Sequence, residues 1–237
     1  AQKTCKNMIM IEHMLIIGGS RGIGLAVAEY YHSQVKNLIC VSRSRSNFGR
    51  WIAADVASSA GLEKIDQIFQ GQPLDALLYL GGTWEKDAFT SCYAFAKSSD
   101  AEIDNVIAVN LLSAIKLIKR LIPSLQRSNN PRVILIGSLS GLENQASREV
   151  ANTASKFGLR GAVQALQIEL KPMQIGLTVV NPGNVATPEV LNDIASGGFS
   201  PQVPIPLSDL IAVIDCALKL SRSSYLPEVN LAQMQTD

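Results

Sequence analysis

HMLIIGGSRGIGLAVAEYY, His13 to Tyr31, decides how the whole chain is read. Its first five residues form a short apolar run suited to a buried strand. Ile23, Val27, Tyr30 and Tyr31 then recur at helical spacing. Between the two lies a Gly-x3-Gly-x-Gly turn made by Gly18, Gly22 and Gly24. Glycines at such a turn let the backbone approach a pyrophosphate, and the helix that follows offers its positive N-terminus. Strand, glycine turn and helix are therefore expected here, with a nucleotide phosphate as the ligand.

The alternation continues outward. Asn37 to Val41, Trp51 to Ala54 and Leu74 to Leu80 are short runs, apolar on both faces, as strands of a parallel sheet are when helices cover both sides. Ser99-Asp-Ala-Glu102 is a capping box that opens a long helix through Asn110 to about Leu125, with Pro123 near its end. Val133 to Ile136 returns to the sheet. A helix from about Ser147 to Leu170, stopped by Pro172, leads to a sixth strand at Leu177 to Val180. A helix from about Leu207 to Ser221 and a last strand at Leu226 to Leu231 complete the pattern. The expected fold is α/β, a doubly wound parallel sheet of Rossmann type with βαβ alternation throughout. Its ligands would bind outside the carboxyl ends of the strands. Residues 1–12 read as an N-terminal extension of unclear structure and 13–237 as a single domain. The Gly-, Ser- and Pro-rich stretch 188–206 shows no periodicity and is expected to be a substrate loop.

Composition narrows the partners. A chain of 237 residues that is 47% apolar can bury one full core. With 21 basic and 20 acidic residues, a net charge of +1 leaves no electrostatic footprint for nucleic acid or for an anionic membrane. The apolar run Met8 to Ile11 is too short for a signal core or a membrane span. Small molecules and protein subunits remain as partners. Cys5, Cys40, Cys92 and Cys216 lack the spacing of a metal or redox motif, so no metal and reduced thiols in a cytoplasmic protein are expected. His13 and His32 are isolated and read as structural.

The glycine turn and four further segments make the chain similar to the short-chain dehydrogenase/reductase family from about residue 13 onward. That resemblance implies NADP(H) as cofactor. Gly18, Ser20, Arg21, Gly22, Ile23 and Gly24 would hold the phosphates, and Asp55 and Val56 the adenine. Ser42 and Arg43 follow the second strand, where an NAD-preferring member would carry an acidic residue for the ribose hydroxyls. Two arginines and no carboxylate favour NADP, because a guanidinium fork suits a 2'-phosphate. Tyr79-Leu80-Gly81-Gly82 stands where the family has Asn-Asn-Ala-Gly; its glycines admit the cofactor, but the polar bracing of the asparagines is expected to be lost. Pro182, Gly183, Val185 and Thr187 would lie beside the nicotinamide.

The same resemblance assigns catalytic positions. Asn110, Ser138 and Lys156 match the family's helix asparagine, its oxygen-holding serine and its ribose-binding lysine; Ser140 competes with Ser138 for one role. Asn110 and Lys156 also belong to the cofactor site. The fourth position, one helical turn before Lys156, is Asn152 where the family has its tyrosine acid. An amide can hydrogen-bond but cannot titrate, and loss of a positioned acid costs roughly 10²- to 10⁴-fold in rate. Glu143, Glu149 or a water on Lys156 are the candidate proton sources, although both glutamates read more simply as solvated. The Ser138-to-Asn152 interval is also one residue longer than is usual. Three readings stay open: an NADP(H)-dependent oxidoreductase with an atypical site acting on a carbonyl, imine or activated C=C; a non-catalytic NADP(H)-binding sensor or partner-binding protein; and an engineered asparagine in an ordinary reductase. Apolar positions in excess of one stripe on the long helix (Ile103, Val106, Ile107, Leu111, Ile115), with the family's habit of pairing there, suggest a homodimer or homotetramer.

Overall fold

A computed structural model describes residues 11–197, 199 and 202–234. Most of the expected N-terminal extension lies outside them. Seven strands, β1 (His13–Ile17), β2 (Asn37–Ser42), β3 (Arg50–Ala53), β4 (Ala76–Tyr79), β5 (Arg132–Ile136), β6 (Gly176–Pro182) and β7 (Glu228–Leu231), form one sheet in the order β3-β2-β1-β4-β5-β6-β7. Every pairing is parallel. Strand order reverses between β1 and β4, so a crevice opens where their carboxyl ends part.

Helices cover both faces. On one side α2 (Ser59–Phe69), α4 (Ser113–Leu125) and α5 (Val150–Leu170) pack on a core that includes Leu15, Leu77, Leu117, Leu121, Val133 and Leu177. On the other, α1 (Gly22–Tyr31) and α7 (Leu207–Lys219) cover Met14, Ile16, Leu78, Ile134 and Val180. The period-2 alternation along β1 and β4 thus sends successive residues to two different cores, which is why these strands are apolar throughout.

Three expectations need correction. First, no helix joins β2 to β3: residues 43–49 make the crossover alone, where such links usually need a dozen residues or more. The loop succeeds because Gly49 adopts φ +71°, Phe48 packs against His32 with ring centroids 4.9 Å apart, and the buried Ser46 hydroxyl donates to the Gly19 carbonyl at 2.8 Å. Second, the helix expected from Ser99 to Leu125 is not uniform. It consists of α3 (Asp100–Ile107), one π-helical turn at Ala108–Leu112, and α4. Third, part of the stretch expected to be aperiodic is a helix, α6 (Pro188–Ala195). Its signal was present in the sequence: Thr187 caps the helix through its hydroxyl, which accepts from the Val190 N–H, and Pro188 sits at the first helical position.

Candidate functional site

The crevice at the strand reversal is a cavity of about 480 Å³. It is built around two glycine contacts. Gly18 ends β1 with φ +89°, and a methyl group there would fall 2.6 Å from Gly81 after β4. Gly24, in the first turn of α1, faces the Gly18 carbonyl so closely that a Cβ would lie 2.0 Å from its oxygen. Larger residues at either position would push the two strand ends or the helix apart. No side chain caps α1, and its first turn holds no acidic residue. Its N-terminal N–H groups and the helix dipole therefore remain available to an anion.

Every residue that the family resemblance assigned to cofactor or catalysis lines this cavity, whereas the alternatives Ser140, Glu143 and Glu149 do not. Gly18, Ser20, Arg21, Gly22, Ile23 and Gly24 surround the mouth of α1, Ser42 and Arg43 the end of β2, and Asp55 and Val56 the end of β3. Gly81 and Gly82 follow β4; Pro182, Gly183, Val185 and Thr187 run from β6 to α6. Of the four arginines in the 21–50 region, Arg45 and Arg50 lie outside the lining, whereas Arg21 and Arg43 lie within it. Among the described residues neither of the latter is engaged in an ion pair. Asp55 also does a turn former's work, accepting the Ala57 N–H at 3.0 Å.

Asn110, Ser138, Asn152 and Lys156 converge on the same cavity from three elements. Asn110 sits in the π-turn, and π-turns recur at functional sites because they re-aim a side chain within a helix. The turn carries that side chain into the loop after β4, where Asn110 Oδ1 accepts the Thr83 N–H at 2.8 Å and its Nδ2 donates to the Thr83 carbonyl at 2.7 Å. The same Nδ2 reaches Ser155 Oγ at 3.1 Å and Asn152 Oδ1 at 3.5 Å. Tyr79, which stands where the family has an asparagine, donates its hydroxyl to the Val109 carbonyl at 2.6 Å. Contrary to expectation, then, polar bracing of this segment is present. It comes from Asn110 and Tyr79 instead of from two asparagines.

Ser138 caps the short 3-10 turn Leu139–Gly141, and its oxygen accepts from the Ser140 hydroxyl at 2.9 Å. Ser140 thus serves Ser138 and is not itself part of the lining. The ammonium of Lys156 donates to the Ile136 carbonyl at 3.1 Å. Burial pushes its pKa down from the ordinary 10.5 to about 8, since no carboxylate offsets the loss of solvent.

Glu143 is exposed, as expected, but Glu149 is not. It is 4% exposed, and its carboxylate accepts the Phe89 N–H at 2.8 Å. A second buried carboxylate, Glu85, carried no signal in the sequence; one of its oxygens accepts the Ala151 and Asn152 N–H groups at 2.7 and 3.2 Å. These two donors are orphans of the first turn of α5, so the negative charge lies where the helix dipole favours it. Thr83, Trp84, Phe89, Asp193 and Phe199 also line the cavity without having been foreseen. An aromatic residue in a loop has no periodicity to betray which way it faces. Among the described residues no cluster of three His, Cys, Asp or Glu side chains could hold a metal ion. Nor is any of their helices long and apolar enough to cross a membrane.

Comparison with known proteins identifies the family and the fold. Residues 12–195 match the family model for short chain dehydrogenases. The chain is 31% identical over 188 residues to the ketoacyl reductase HetN of Nostoc sp., covering 73% of this chain and 63% of HetN, less than two thirds of that relative's length. It is 30% identical over 200 residues to the 3-oxoacyl-acyl-carrier-protein reductase MabA of Mycobacterium bovis, covering 79% and 74%. A metagenomic short-chain oxidoreductase in complex with NADP superimposes with a TM-score of 0.76 at 21% identity, over 96% of this chain and 99% of that one. The RhlG/NADP active-site complex of Pseudomonas aeruginosa gives 0.74 at 22%, over 94% and 95%. With a family model matched over most of its length and a curated relative at this identity, the chain belongs to the short-chain dehydrogenase family.

Proposed function

We propose that the protein is an NADP(H)-dependent oxidoreductase that reduces a carbonyl, imine or activated C=C without a tyrosine acid. The observation that carries this reading is the convergence of Asn110, Ser138, Asn152 and Lys156 on the cavity that also holds the glycine cradle. The cradle fits a dinucleotide: Gly18 and Gly24 leave no room for a Cβ, α1 is uncapped, and Arg21 and Arg43 supply cationic forks free of ion pairs. The relatives solved with NADP support the same choice. When bound, the dinucleotide supplies a hydride to the substrate's electrophilic carbon.

The chain's own residues handle the oxygen. In this reading Ser138 and the Asn152 amide, which both line the cavity, donate hydrogen bonds to a substrate oxygen as it gains charge. Lys156, with a pKa near 8, is a proton source suited to neutral pH, and Nζ passes its proton to that oxygen directly or through one water. Asn152 itself donates no proton at any step.

The test is NADPH oxidation across a panel of ketones, aldehydes, imines and enones, with the Asn152→Tyr variant beside the wild type. Turnover by the wild type that Lys156→Ala abolishes supports the reading; NADPH binding without turnover on any substrate would turn it into a non-catalytic binder. Tyrosine at 152 should raise carbonyl reduction by about 10²-fold or more, the usual contribution of a positioned acid.

The same reading includes self-association. Phe157 and Ile168, about three turns apart on one face of α5, are 39% and 78% exposed, and Leu112 on the π-turn is 41% exposed. Ile103, Ile107, Leu111 and Ile115 are only partly buried in the same helical layer. A second copy is the natural cover for these faces, and a sharp monomer mass by light scattering at micromolar concentration would sink the idea.

A further inference from the structure

Beyond the nucleotide cradle the cavity ends in aromatic side chains. Trp84 and Phe89 meet edge to face, centroids 5.9 Å apart at 69°, and Phe89 and Phe199 likewise at 6.1 Å and 71°. All three line the cavity, and Trp84 remains 53% exposed. Half of a large ring is thus uncovered at the edge of a binding space, next to two rings in the geometry that aromatic groups favour.

Phe89 is held there against its backbone preference. It lies in the left-handed region at φ +64°, two residues after Asp87 at φ +57°. A bulky residue with positive φ is an outlier that persists only when its surroundings over-determine it. The surroundings here are two buried glutamates acting in opposite directions. Glu149, at the head of α5, accepts the Phe89 N–H; Glu85, in the loop, accepts N–H groups of Ala151 and Asn152. Tyr93 adds a third tie, its hydroxyl oxygen accepting the Val150 N–H at 3.2 Å. The loop carrying Phe89 and the helix carrying Asn152 are therefore fastened to each other at the substrate end. Asp193 also lines the cavity, and its main-chain carbonyl accepts the Phe199 N–H; a carboxylate on this stretch of the lining disfavours an anionic substrate group.

We propose that this end of the cavity is a slot for the planar ring of an uncharged aryl carbonyl or aryl imine, walled by Trp84, Phe89 and Phe199. Glu149 is the positioning residue that sets the slot by holding Phe89. The proposal rests on the functional reading above, in which the polar end of the substrate faces Ser138 and Asn152 and the ring points away from the nucleotide.

The probe pair is acetophenone and cyclohexyl methyl ketone, which share a carbonyl and a carbon count but differ in the planarity of the ring. Their affinities for the NADP⁺-saturated protein are measured by ligand-observed NMR, so that turnover is not needed. An aromatic contact is worth about 0.5–1.5 kcal/mol. Acetophenone should therefore bind about 2- to 10-fold more tightly. Phe89→Leu should remove that preference. Glu149→Ala should remove it as well, and Glu149→Gln should restore it, because the amide oxygen can still accept the Phe89 N–H. Equal binding of the two ketones to the wild type, or a preference that survives in Phe89→Leu, overturns the slot. Failure of the wild type to bind NADP⁺ in a preceding titration would instead overturn the functional reading on which the slot depends.

Discussion

Replacing Lys156 with Met should stabilise the free protein at neutral pH, and the effect should vanish in alkali. Lys156 is half-buried at the wall of the cavity without a carboxylate partner, and desolvation holds its pKa near 8 instead of 10.5. At about 1.4 kcal/mol per pH unit, holding its charge in the folded state costs roughly 3 kcal/mol. Met loses the bond from Nζ to the Ile136 carbonyl, about 1 kcal/mol in the other direction, which leaves a net gain of about 2 kcal/mol. The sign with pH follows from which state binds the proton. Below pH 8 both folded and unfolded chains hold it, so the cost is fully present; between pH 8 and 10.5 only the unfolded chain does, and wild-type stability climbs until the cost is gone. Urea unfolding of both proteins at pH 6, 7, 9 and 10.5 reads the difference directly. The variant should melt about 4–8 °C higher at pH 7, given roughly 2–4 °C per kcal/mol for a chain of this size. It should melt slightly lower than the wild type at pH 10.5. A Met variant no more stable than the wild type at pH 7, or a difference that stays flat from pH 6 to 10.5, would refute the account of Lys156 as a desolvated acid.

Three further outcomes are expected. Gly24→Ala should abolish NADPH binding by calorimetry and lower Tm, since its Cβ would meet the Gly18 carbonyl carbon at 2.7 Å and its oxygen at 2.0 Å. Arg43→Ala should weaken NADPH while leaving NADH nearly unaffected; a charged hydrogen bond of about 1.5–3 kcal/mol predicts a change in the NADPH/NADH affinity ratio of about 10- to 100-fold. Equal loss for both cofactors would place Arg43 elsewhere than on the 2'-phosphate. Glu85→Ala should cost about 2 kcal/mol or more, because two buried N–H groups of α5 lose their acceptor, and unfolding at unchanged midpoint would contradict that role.

How much of this was legible beforehand depended on whether a residue's role is local. Gly18, Gly22 and Gly24 could be read because a glycine turn between a strand and a helix has a local pattern: Gly18 and Gly22 take positive φ, and Gly24 lies against the Gly18 carbonyl. Arg43 could be read because its place after β2 is fixed by the strand. The π-turn at Asn110 could not, since nothing in Ala108–Leu112 differs from ordinary helix sequence; the wider turn is fixed by its packing against α5 and the loop after β4. Glu149 reads as a solvated helix-start residue, and its burial follows only from a loop some 60 positions earlier folding over it.

The sequence by itself determined the βαβ pattern, the phosphate cradle and the absence of a titratable group at residue 152, because each rests on short-range periodicity or on one residue's chemistry. The tertiary structure decided the rest. It joined β2 to β3 by a loop of seven residues, 43–49, where strict alternation would put a helix, re-braced the segment after β4 through Asn110 and Tyr79, and fastened Phe89 to α5 with buried carboxylates. Those outcomes depend on which distant groups are left unsatisfied when the elements pack. Such a demand has no local sequence pattern, because it exists only once the helices and loops have met.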